Sequence, residues 1–382
     1  MKNYDVIIIG AGFCGSTLAE QFASDGKKVL ILEKRNHIGG NMYEDYENGE
    51  RVHRYGPHIF HTSKEHVFDY LKQFGDWFFY EHRVLGKIDG KLVPIPFNFK
   101  SLELLFDGDD VKEIKEKLLS KYEYGSKVSI LELIQDEDEK IKEFGQYVFE
   151  KVFVHYTAKQ WQIPIENVDK SVINRVPVLL GYDDRYFGDK FQFMPKNGFT
   201  EIFNNMLSSQ NIKIETGCNA LDKIELKDGK VYFENKEFNG KVIYTGLVDE
   251  LLNYKFGELP YRSLNLVFET KKIPFYQPVS VVNYPNDEDF TRITEFKYLS
   301  NEFLSDKTVI LKEYPKKYIA NDSNSIPYYA INNEANNALY NKYVEALKKY
   351  KNLYLCGRLA EYKYYNMDDA IDRALELYKK IK

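Results

Sequence analysis

The feature of this sequence that most constrains its fold is a glycine-rich turn near the N-terminus. Residues 4–9 are mostly apolar and predict a buried strand, and Gly10, Gly12 and Gly15 follow it in G-x-G-x-x-G spacing. In this arrangement the first glycine permits the turn, the second lets the backbone approach a pyrophosphate, and the third allows the helix to pack closely on the strand. The pattern therefore predicts a strand, a tight turn and a helix whose N-terminus faces a dinucleotide.

The residues that follow complete a β-α-β unit. Residues 17–24 have helical periodicity, Gly26 ends that helix, and residues 29–33 form the next predicted strand. Glu33 ends this strand about 20 residues after the glycines, where an acidic side chain hydrogen-bonds a ribose hydroxyl. We therefore expect a dinucleotide site; the alternative is a glycine-rich turn that holds no ligand.

Two further elements favour FAD over NAD as the dinucleotide. The segment EKRNHIGGNMY follows at once, and its Gly39 and Gly40 resemble the second glycine-rich element of the FAD-binding family related to glutathione reductase and the amine oxidases. The segment LYLCGRL near the C-terminus resembles the third element of that family. Because NAD enzymes of the simple Rossmann type lack both elements, we expect FAD.

Composition excludes several classes of protein. The length of 382 residues indicates two or three domains, and the net charge of −5 is spread along the chain, so we expect no nucleic-acid partner. The apolar run at residues 6–9 is too short for a membrane span. Cys14, Cys218 and Cys356 are odd in number and lack metal-ligand spacing, which predicts no metal site and a cytoplasmic location.

Beyond the first unit, the pattern alternates between helical and strand-like regions. Helical periodicity covers residues 101–160 and 199–210. Hairpin-like strands are predicted at 223–246, strands separated by turns at 259–314, and a last strand, glycine and helix at 353–356, 357 and 367–380. We expect this last unit to share a sheet with the first, which would make the nucleotide domain discontinuous in sequence.

Histidine and aromatic residues in two motifs suit a ligand that carries a planar base. His58 and His61 lie in YGPHIFHT, and histidine can donate hydrogen bonds to a flavin or a substrate near neutral pH. Tyr156, Thr157 and Trp161 lie in HYTAKQW at a predicted helix end, where an aromatic face can stack on a base. The alternatives are structural histidines and a tryptophan that fills the core.

Four arginines lie beside apolar or aromatic motifs and suit the diphosphate of a sugar nucleotide, because the planar guanidinium pairs well with phosphate. They are Arg175, Arg262, Arg292 and Arg358, and the neighbouring tyrosines are Tyr186, Tyr314, Tyr362 and Tyr364. An isolated arginine is more often a solvated surface residue, and spacing alone does not bring the four together.

Taken together, these motifs resemble those of the bacterial UDP-galactopyranose mutase family. The matching segments, in the order in which the family has them, are GAGFCG, EKRNHIGGN, YGPHIFHT, YTAKQW, TRITE, KEYP and GRLAEYKYYNM. The resemblance implies an α/β fold with a discontinuous Rossmann-like FAD-binding domain, an inserted helical domain and a six-stranded antiparallel β-sheet domain, in a homodimer. The implied limits are 1–85, 186–255 and 351–382 for the FAD domain, 101–185 for the helical domain, and 86–100 with 256–350 for the sheet domain.

The resemblance also implies how the sugar nucleotide is held. Trp161 matches a tryptophan that stacks on uracil, with Tyr156 and Thr157 beside it. Arg175 matches an arginine on a mobile loop that closes over the diphosphate, and Arg292 matches its partner from the sheet domain.

The remaining substrate and catalytic residues are assigned in the same way. Tyr186, Tyr314 and Tyr364 match tyrosines that hydrogen-bond the phosphates. His61 matches a histidine close to the flavin, and Arg358 an arginine near the reactive edge of the flavin. The catalytic set that the resemblance implies is therefore Arg175, Arg292, His61 and Arg358.

The expected cofactor-binding residues come from the three glycine-rich elements, the YGPHI loop and the C-terminal motif. They are Gly10, Gly12, Phe13, Cys14, Gly15, Glu33, Lys34, Arg35, Gly39, Gly40, Asn41, Tyr55, Gly56, His58, Ile59, Gly357, Arg358, Tyr365, Asn366 and Met367.

The activity implied is the interconversion of UDP-galactopyranose and UDP-galactofuranose by covalent catalysis at N5 of the reduced flavin, which would supply furanose sugar for cell-surface glycans. FAD must then be reduced first, by a donor such as NAD(P)H. Two departures from the family pattern are Leu179, where a second loop arginine is common, and Asn366, where aspartate is common. The alternatives are the same reaction on UDP-N-acetylgalactosamine, an FAD oxidoreductase of the amine-oxidase type, and a non-catalytic FAD-dependent binding protein.

Overall fold

The computed structural model of the chain describes residues 4–154, 159, 177–302, 306–320, 322 and 324–382. The strands in this part of the chain are β1 (Val6–Ile9), β2 (Val29–Leu32), β3 (Glu44–Glu47), β4 (Glu50–His53), β5 (Phe60–Thr62), β6 (Trp77–Phe79), β7 (Val84–Ile88), β8 (Lys91–Ile95), β9 (Lys127–Val128), β10 (Val178–Leu179), β11 (Phe191–Pro195), β12 (Ile212–Glu215), β13 (Ile224–Lys227), β14 (Lys230–Phe233), β15 (Lys236–Glu237), β16 (Lys241–Tyr244), β17 (Tyr261–Lys271), β18 (Val281–Asn283), β19 (Arg292–Glu295), β20 (Thr308–Lys317), β21 (Tyr329–Ala330) and β22 (Leu353–Leu355).

The helices of the same residues are α1 (Phe13–Ser24), α2 (Glu65–Leu71), α3 (Phe99–Leu105), α4 (Gly108–Lys121), α5 (Ile130–Leu133), α6 (Glu139–Val148), α7 (Phe199–Met206), α8 (Val248–Leu251), α9 (Lys297–Ser300), α10 (Glu334–Leu347) and α11 (Met367–Ile381). A π-helical turn, Phe149–Val154, follows α6. No helix among the described residues combines the length and the apolar character that a bilayer crossing requires.

A five-stranded sheet in the order β12-β2-β1-β16-β22 forms the centre of the nucleotide-binding region. All of its neighbouring strands run parallel, with Val6 of β1 opposite both Val29 and Lys241. The strands come from widely separated parts of the chain, so the expectation that the first and last units share one sheet is confirmed. Helices α1 and α11 pack together on this sheet, with the rings of Phe22 and Tyr378 centred 5.1 Å apart.

The segment 223–246, predicted as hairpin-like strands, is only partly a hairpin. Strands β13 and β14 pair antiparallel around Asp228 and Gly229, which have φ of 51° and 77° as a tight hairpin turn requires. Strand β16, in contrast, leaves the hairpin and joins the parallel sheet beside β1. Gly240 does not turn the chain there; a Cβ on it would lie 2.4 Å from the carbonyl oxygen of Asp5, so the glycine serves the close approach of the two strands.

A second sheet has seven strands in the order β21-β17-β20-β19-β18-β7-β8, where the resemblance implied six. Its pairs are antiparallel except β18 with β7, which run parallel. The segment TRITEFKYL, predicted as a strand, changes to helix α9 after Glu295. The reason is Lys297, which is fully buried and directs its ammonium group to the backbone carbonyls of Pro274 and Lys307.

The helical region predicted at 101–160 is formed by α3 to α6 and the π-helical turn. Its apolar side chains, among them Leu102, Leu118, Ile141 and Phe144, form a core separate from that of the nucleotide-binding region. A short strand, β9, interrupts the helices and pairs with β10, which contains Leu179. Leu179 is buried there, and its N–H donates to the carbonyl of Phe97 at 2.8 Å.

Candidate functional site

A large cleft opens at the carboxyl ends of the parallel strands, where ligands bind in folds of this kind. It encloses about 950 Å³, near the upper end of the roughly 300–1,000 Å³ usual for ligand and cofactor sites. Its walls come from the turn after β1, the end of β2, the residues after β16, the residues after β22 and the N-terminus of α11. Chain segments that are far apart in sequence therefore build one site.

The three glycines of the first turn have different neighbours. Gly10 has φ of +100°, and a Cβ on it would lie 2.1 Å from Oγ1 of Thr245. A Cβ on Gly15 would lie 2.0 Å from the carbonyl oxygen of Gly10, which reflects the close packing of α1 on β1. On Gly12 the nearest atom would be Cα of Gly40 at 3.9 Å. The fold therefore requires Gly10 and Gly15, whereas Gly12 leaves space that a ligand can use.

Glu33 is buried at the end of β2 and connects the two halves of the β-α-β unit. Its Oε2 accepts the N–H of Ala11 at 2.7 Å, and its Oε1 accepts the N–H of Arg35 at 2.8 Å. Each carboxylate oxygen can accept a further hydrogen bond. The side chain is thus fixed at the cleft wall and keeps further acceptor capacity, which leaves its predicted contact with a ribose hydroxyl possible in geometry.

An aromatic and cationic group beside Glu33 forms another part of the wall. The guanidinium of Arg35 lies 4.1 Å from the ring centre of Tyr55, and its Nη2 donates to Oδ1 of Asn41 at 2.9 Å. His37 stacks on Tyr43 with ring centres 3.8 Å apart, and burial lowers its pKa. Sequence reasoning did not select His37, although it lies in the EKRNHIGGN segment.

Most of the expected cofactor-binding residues line this cleft. They are Gly10, Gly12, Phe13, Cys14, Gly15, Glu33, Lys34, Arg35, Gly40, Asn41, Tyr55, Gly357, Arg358, Tyr365, Asn366 and Met367. Gly39, Gly56, His58 and Ile59 are not part of its lining. The structure adds Thr245, Gly246 and Leu247 after β16, which the sequence missed because β16 was assigned to a hairpin.

The glycine turn, the fixed carboxylate and the long cleft fit a dinucleotide such as FAD. The first residues of α1 and α11 line the cleft, and helix N-termini of this kind suit phosphate oxygens. Asn366 immediately precedes α11, and its own N–H donates to Oδ2 of Asp369 at 3.3 Å. Since asparagine and aspartate both serve well at the start of a helix, the departure at Asn366 is compatible with this local structure.

Next to the cleft, Arg358 lies over two tyrosines. Its guanidinium carbon is 5.1 Å from the ring centre of Tyr329 and 6.0 Å from that of Tyr364. The two tyrosine rings stack with centres 5.5 Å apart and planes 19° apart. Tyr329 was not selected from the sequence; its only signal is the YY pair in SIPYYAI.

Arg292 lies on the second sheet and is paired with a buried carboxylate. It stands opposite Glu313 in the β19–β20 pair, and its Nε donates to Oε1 of Glu313 at 2.6 Å. The Glu313 side chain is 2% exposed, so a buried charge is balanced by the guanidinium. This pairing fixes the orientation of Arg292.

Two histidines, the partly buried His58 and the buried His82, lie within the electrostatic influence of these arginines. Burial, followed by the charges of His53, Arg358 and Arg292, lowers the pKa of His58 to about 3. Burial, followed by Arg292 and His61, lowers the pKa of His82 to about 3. Both rings are therefore neutral near pH 7, and the positive charge of the region belongs to the arginines.

Tyr186 belongs to the same group of residues. Burial raises its pKa, while the charge of Arg292 acts in the opposite direction and Tyr329 adds to the increase. Its backbone N–H donates to the carbonyl of His82 at 2.8 Å. Among the residues expected from the sequence, Arg292 and Arg358 both act electrostatically on His58. Arg292 also acts on Tyr186, and Arg358 lies over Tyr364.

His61 and Tyr314 have other contacts. Nδ1 of His61 is 2.8 Å from Oδ2 of Asp189. Tyr314 directly follows Glu313 in β20, so its side chain points to the opposite face of the sheet, where its ring packs edge-on against Phe290 at 5.8 Å. The contacts of the described residues do not place Tyr314 beside Arg292.

Four expected site residues, Tyr156, Thr157, Trp161 and Arg175, lie outside the residues that the structure describes. Lys159, within the same HYTAKQW motif, is described. Its ammonium group donates to the carbonyls of Tyr284 at 2.9 Å and Phe290 at 3.4 Å, and also to that of Glu288.

Comparisons with known proteins identify the family. The family described as UDP-galactopyranose mutase matches residues 151–364, and a family described as an NAD(P)-binding Rossmann-like domain matches residues 8–74. A UDP-galactopyranose mutase of Mycoplasma genitalium is 36% identical over 97% of this chain and 93% of its own length. A probable UDP-galactopyranose mutase of Klebsiella pneumoniae is also 36% identical, over 98% of this chain and 94% of its own.

Two further similarities concern substrate and fold. A dTDP-fucopyranose mutase of Escherichia coli is 33% identical over 97% of this chain and 96% of its own length. Among solved structures, a reduced UDP-galactopyranose mutase superposes with a TM-score of 0.71 at 19% identity, covering 100% of this chain and 94% of its own. The latter similarity supports the fold alone.

Proposed function

Since the chain belongs to the UDP-galactopyranose mutase family, we propose that it interconverts UDP-galactopyranose and UDP-galactofuranose. It is an isomerase, and its cofactor is FAD. The observation that carries the substrate proposal is Arg358, which lines the FAD cleft and at the same time lies on the Tyr329–Tyr364 pair. A sugar nucleotide bound at this pair would have its diphosphate next to the cofactor.

The chemistry that the reduced cofactor supplies when bound is a nucleophilic nitrogen, N5, toward the anomeric carbon of the sugar. The departing UDP then gains negative charge on its diphosphate. Arg292 and Arg358 are oriented before the reaction, Arg292 by Glu313 and Arg358 by the two tyrosine rings. Such preorganised cations stabilise charge as it develops.

The remaining substrate contacts follow from the family resemblance. We place the uracil on Trp161 with Tyr156 and Thr157 beside it. Arg175 is a further arginine on the diphosphate. The support for these roles is that the family match covers residues 151–364, which includes each of them.

Tyrosine hydroxyls complete the phosphate contacts in this proposal, with Tyr186, Tyr314 and Tyr364 as donors. Tyr186 and Tyr364 lie in the same cluster as the two arginines, which supports their role. For Tyr314 the support is the resemblance of its KEYP motif alone.

A second candidate function is the same ring contraction on a different nucleotide sugar. The similarity to a dTDP-fucopyranose mutase extends over 97% of this chain at 33% identity. The base and the sugar can therefore differ between relatives of this degree of similarity, and UDP-N-acetylgalactosamine is a further substrate to test.

Several properties of the whole protein are part of the proposal. We infer a homodimer with the domain limits given above, a donor such as NAD(P)H that reduces FAD, and a role in supplying furanose sugar for cell-surface glycans. The three cysteines are free thiols, two of them buried, which supports a location in the reducing cytoplasm.

The reaction is tested with holoprotein in two redox states. Dithionite-reduced and oxidised enzyme are each incubated with UDP-galactofuranose, and the nucleotide sugars are separated by chromatography. We expect conversion to UDP-galactopyranose with reduced enzyme only. Full turnover with FAD held oxidised would contradict the proposed chemistry, and a higher kcat/KM for furanose forms of dTDP-fucose or UDP-N-acetylgalactosamine would change the assigned substrate.

Arg292 provides the site test. Replacing it with alanine would also leave buried Glu313 without its cation, so Arg292→Lys is the cleaner variant. We expect kcat/KM to fall by at least about tenfold, because a lysine cannot reproduce the planar fork of arginine. Flavin content should stay unchanged. Arg54→Lys, which changes an arginine paired with Asp45 and Glu47, is the matched control and should retain parental activity.

A further inference from the structure

His61 and Asp189 form a connected pair beside the proposed substrate site. Nδ1 of His61 is 2.8 Å from Oδ2 of Asp189, and Oγ of Ser63 donates to Oδ1 of the same carboxylate at 2.9 Å. Because an ionised carboxylate only accepts hydrogen bonds, Nδ1 of His61 is the donor. Both oxygens of Asp189 are thus held by side chains at and just beyond β5.

The strand that pairs with β5 holds the backbone of the same segment. Gln192 of β11 stands opposite His61 in the antiparallel pair. Its side-chain nitrogen donates to the carbonyls of Phe187 and Asp189, each at 3.1 Å, and the residue is buried. The turn at residues 187–189 is therefore anchored through its carboxylate and through two of its carbonyls.

The ring of Phe187 connects this anchor to Tyr186. It stacks on His61 with ring centres 3.6 Å apart and planes 12° apart, and it packs edge-on against Tyr186 at 5.0 Å. His82 packs against Phe187 and Tyr186, at 5.6 Å in each case. Since the backbone N–H of Tyr186 also donates to His82, the position of Tyr186 depends on the whole group.

We propose that His61 is a positioning residue that acts through Asp189 and Phe187 to fix Tyr186 beside Arg292. Asp189 accepts the Nδ1–H of His61, and Phe187 covers one face of the His61 ring. These two contacts explain why a histidine stands at this position without requiring that it touch the reacting atoms. The inference rests on the proposed function in one respect, that Tyr186 binds the diphosphate.

Strand β5, which contains His61, also connects His61 to the loop of His58. The strand directly follows the loop that contains His58, whose pKa is lowered by burial first and also by the charges of His53, Arg358 and Arg292. The same strand therefore connects that loop with the segment of Tyr186. We therefore expect His61 to influence the position of the His58 loop as well as that of Tyr186.

The test compares two amide replacements of His61. In His61→Asn the amide nitrogen occupies the place of Nδ1 and keeps the hydrogen bond to Asp189, whereas in His61→Gln it moves toward the place of Nε2. For a positioning role we expect the Kd of UDP, from calorimetry on holoenzyme, to stay within about threefold in His61→Asn and to rise at least about tenfold in His61→Gln. KM should follow Kd and kcat should change little, because Tyr186 would bind ground and transition states alike.

A double-mutant cycle with Tyr186→Phe separates the positioning role from an independent one. If His61 acts through Tyr186, the UDP affinity of the His61→Gln/Tyr186→Phe enzyme should be close to that of Tyr186→Phe alone. Additive losses, or better function in His61→Gln than in His61→Asn, would overturn the proposal. Asp189→Leu, which removes both acceptors at a similar side-chain size, should reproduce the effect of His61→Gln.

Amide hydrogen exchange in residues 185–190 provides a measurement that does not depend on the substrate. We expect faster exchange there in His61→Gln than in His61→Asn, with normal flavin content in both; equal rates would refute the positioning role. A parent enzyme that fails to bind UDP would refute the proposed function, and the exchange result would still decide the role of His61.

Discussion

At the residue scale, Gly12 differs from its two partners in the G-x-G-x-x-G turn. A side chain at Gly15 would collide with the backbone of Gly10, and one at Gly10 with Thr245. Gly12 has φ of −81°, and no atom of the described residues lies closer than 3.9 Å to an added Cβ, so its small size matters to a ligand rather than to the fold.

This difference predicts two distinct outcomes for alanine substitutions. Gly12→Ala should fold with a Tm close to that of the parent apoprotein and lose most of its FAD, because the added methyl group occupies the space of the pyrophosphate. Gly15→Ala should lower the Tm of the apoprotein itself. Flavin absorbance per chain and thermal unfolding of both variants measure the two effects; equal flavin content in Gly12→Ala and the parent would contradict the assignment of the turn.

Glu50 is a buried carboxyl group whose protonation depends on its surroundings. It lies on β4, and burial raises its pKa from 4.5 to about 7, against the opposing effects of the Val309 N–H and the charge of Lys297. Glu295, also buried nearby, adds to the increase. The folded protein therefore binds a proton at Glu50 over a pH range in which the unfolded chain does not.

The direction of the pH effect follows from this difference. Between pH 4.5 and about 7 the folded state holds more protons at Glu50 than the unfolded state, so its contribution to stability falls as the pH rises through this range and stays low above it. Glu50→Gln lacks this dependence. We expect it to be more stable than the parent at pH 8 by on the order of 2 kcal/mol, with a much smaller difference at pH 5.

Urea unfolding of the holoprotein at pH 5 and at pH 8 measures the effect of Glu50→Gln on the free energy of unfolding. Glu225→Gln, a change at an exposed position, is the matched control and should not alter the pH dependence. A stability difference between Glu50→Gln and the parent that is the same at pH 5 and pH 8 would contradict the raised pKa.

At the scale of secondary-structure elements, the packing of α6 on α5 explains a glycine within a helix. Glycine destabilises a helix interior by about 1 kcal/mol relative to alanine. Gly145 in α6 nevertheless suits its position, because a Cβ there would lie 2.8 Å from the backbone carbon of Leu133 and 2.9 Å from the nitrogen of Ile134. The two helices approach each other through this glycine.

Alanine should therefore have opposite effects at two glycines of the helical region. We expect Gly145→Ala to lower the free energy of unfolding by about 1–3 kcal/mol, because the helices must separate. Gly108→Ala, at the start of α4, meets no atom within 4 Å in the part of the chain that the structure describes, and it should be neutral or slightly stabilising. Chemical denaturation monitored by circular dichroism tests both, and a stabilised Gly145→Ala would show that α5 and α6 can separate without loss.

Individual elements also show where local patterns are insufficient. Strand β16 has the apolar character expected of a strand, yet its partners are β1 and β22 rather than the hairpin next to it. Helix α9 replaces a predicted strand because buried Lys297 needs carbonyl acceptors on two other segments. In both cases the outcome depends on residues distant in sequence.

At the scale of the whole molecule, the cofactor cleft needs the last helix of the chain. Ile371 of α11 is fully buried in the core shared with α1, and the first residues of α11 line the cleft. Loss of packing at the C-terminus should therefore affect FAD binding at the N-terminal glycine turn.

The corresponding prediction concerns Ile371→Ala. We expect a loss of about 2–5 kcal/mol in the free energy of unfolding, as is usual when a large buried side chain is truncated. Flavin content should fall with it. Glu376→Ala on the exposed face of the same helix should change neither quantity. Full flavin loading at unchanged Tm in Ile371→Ala would show that the helix is not needed for the cleft.

The sequence by itself determined the first β-α-β unit, the position of Glu33 at its end and the class of cofactor. These features depend on glycine spacing and apolar periodicity within about 30 residues, where neighbours in sequence are also neighbours in space. The motif resemblance added the family, which the comparisons then established.

The tertiary structure alone decided how the site is assembled. Arg292 meets Glu313 across 21 positions of sequence, and His61 meets Asp189 across 128. Such contacts depend on the order and direction of strands in two sheets, which a local pattern does not encode. The sequence could therefore name candidate arginines, tyrosines and a histidine, whereas only the folded chain shows which of them are held together.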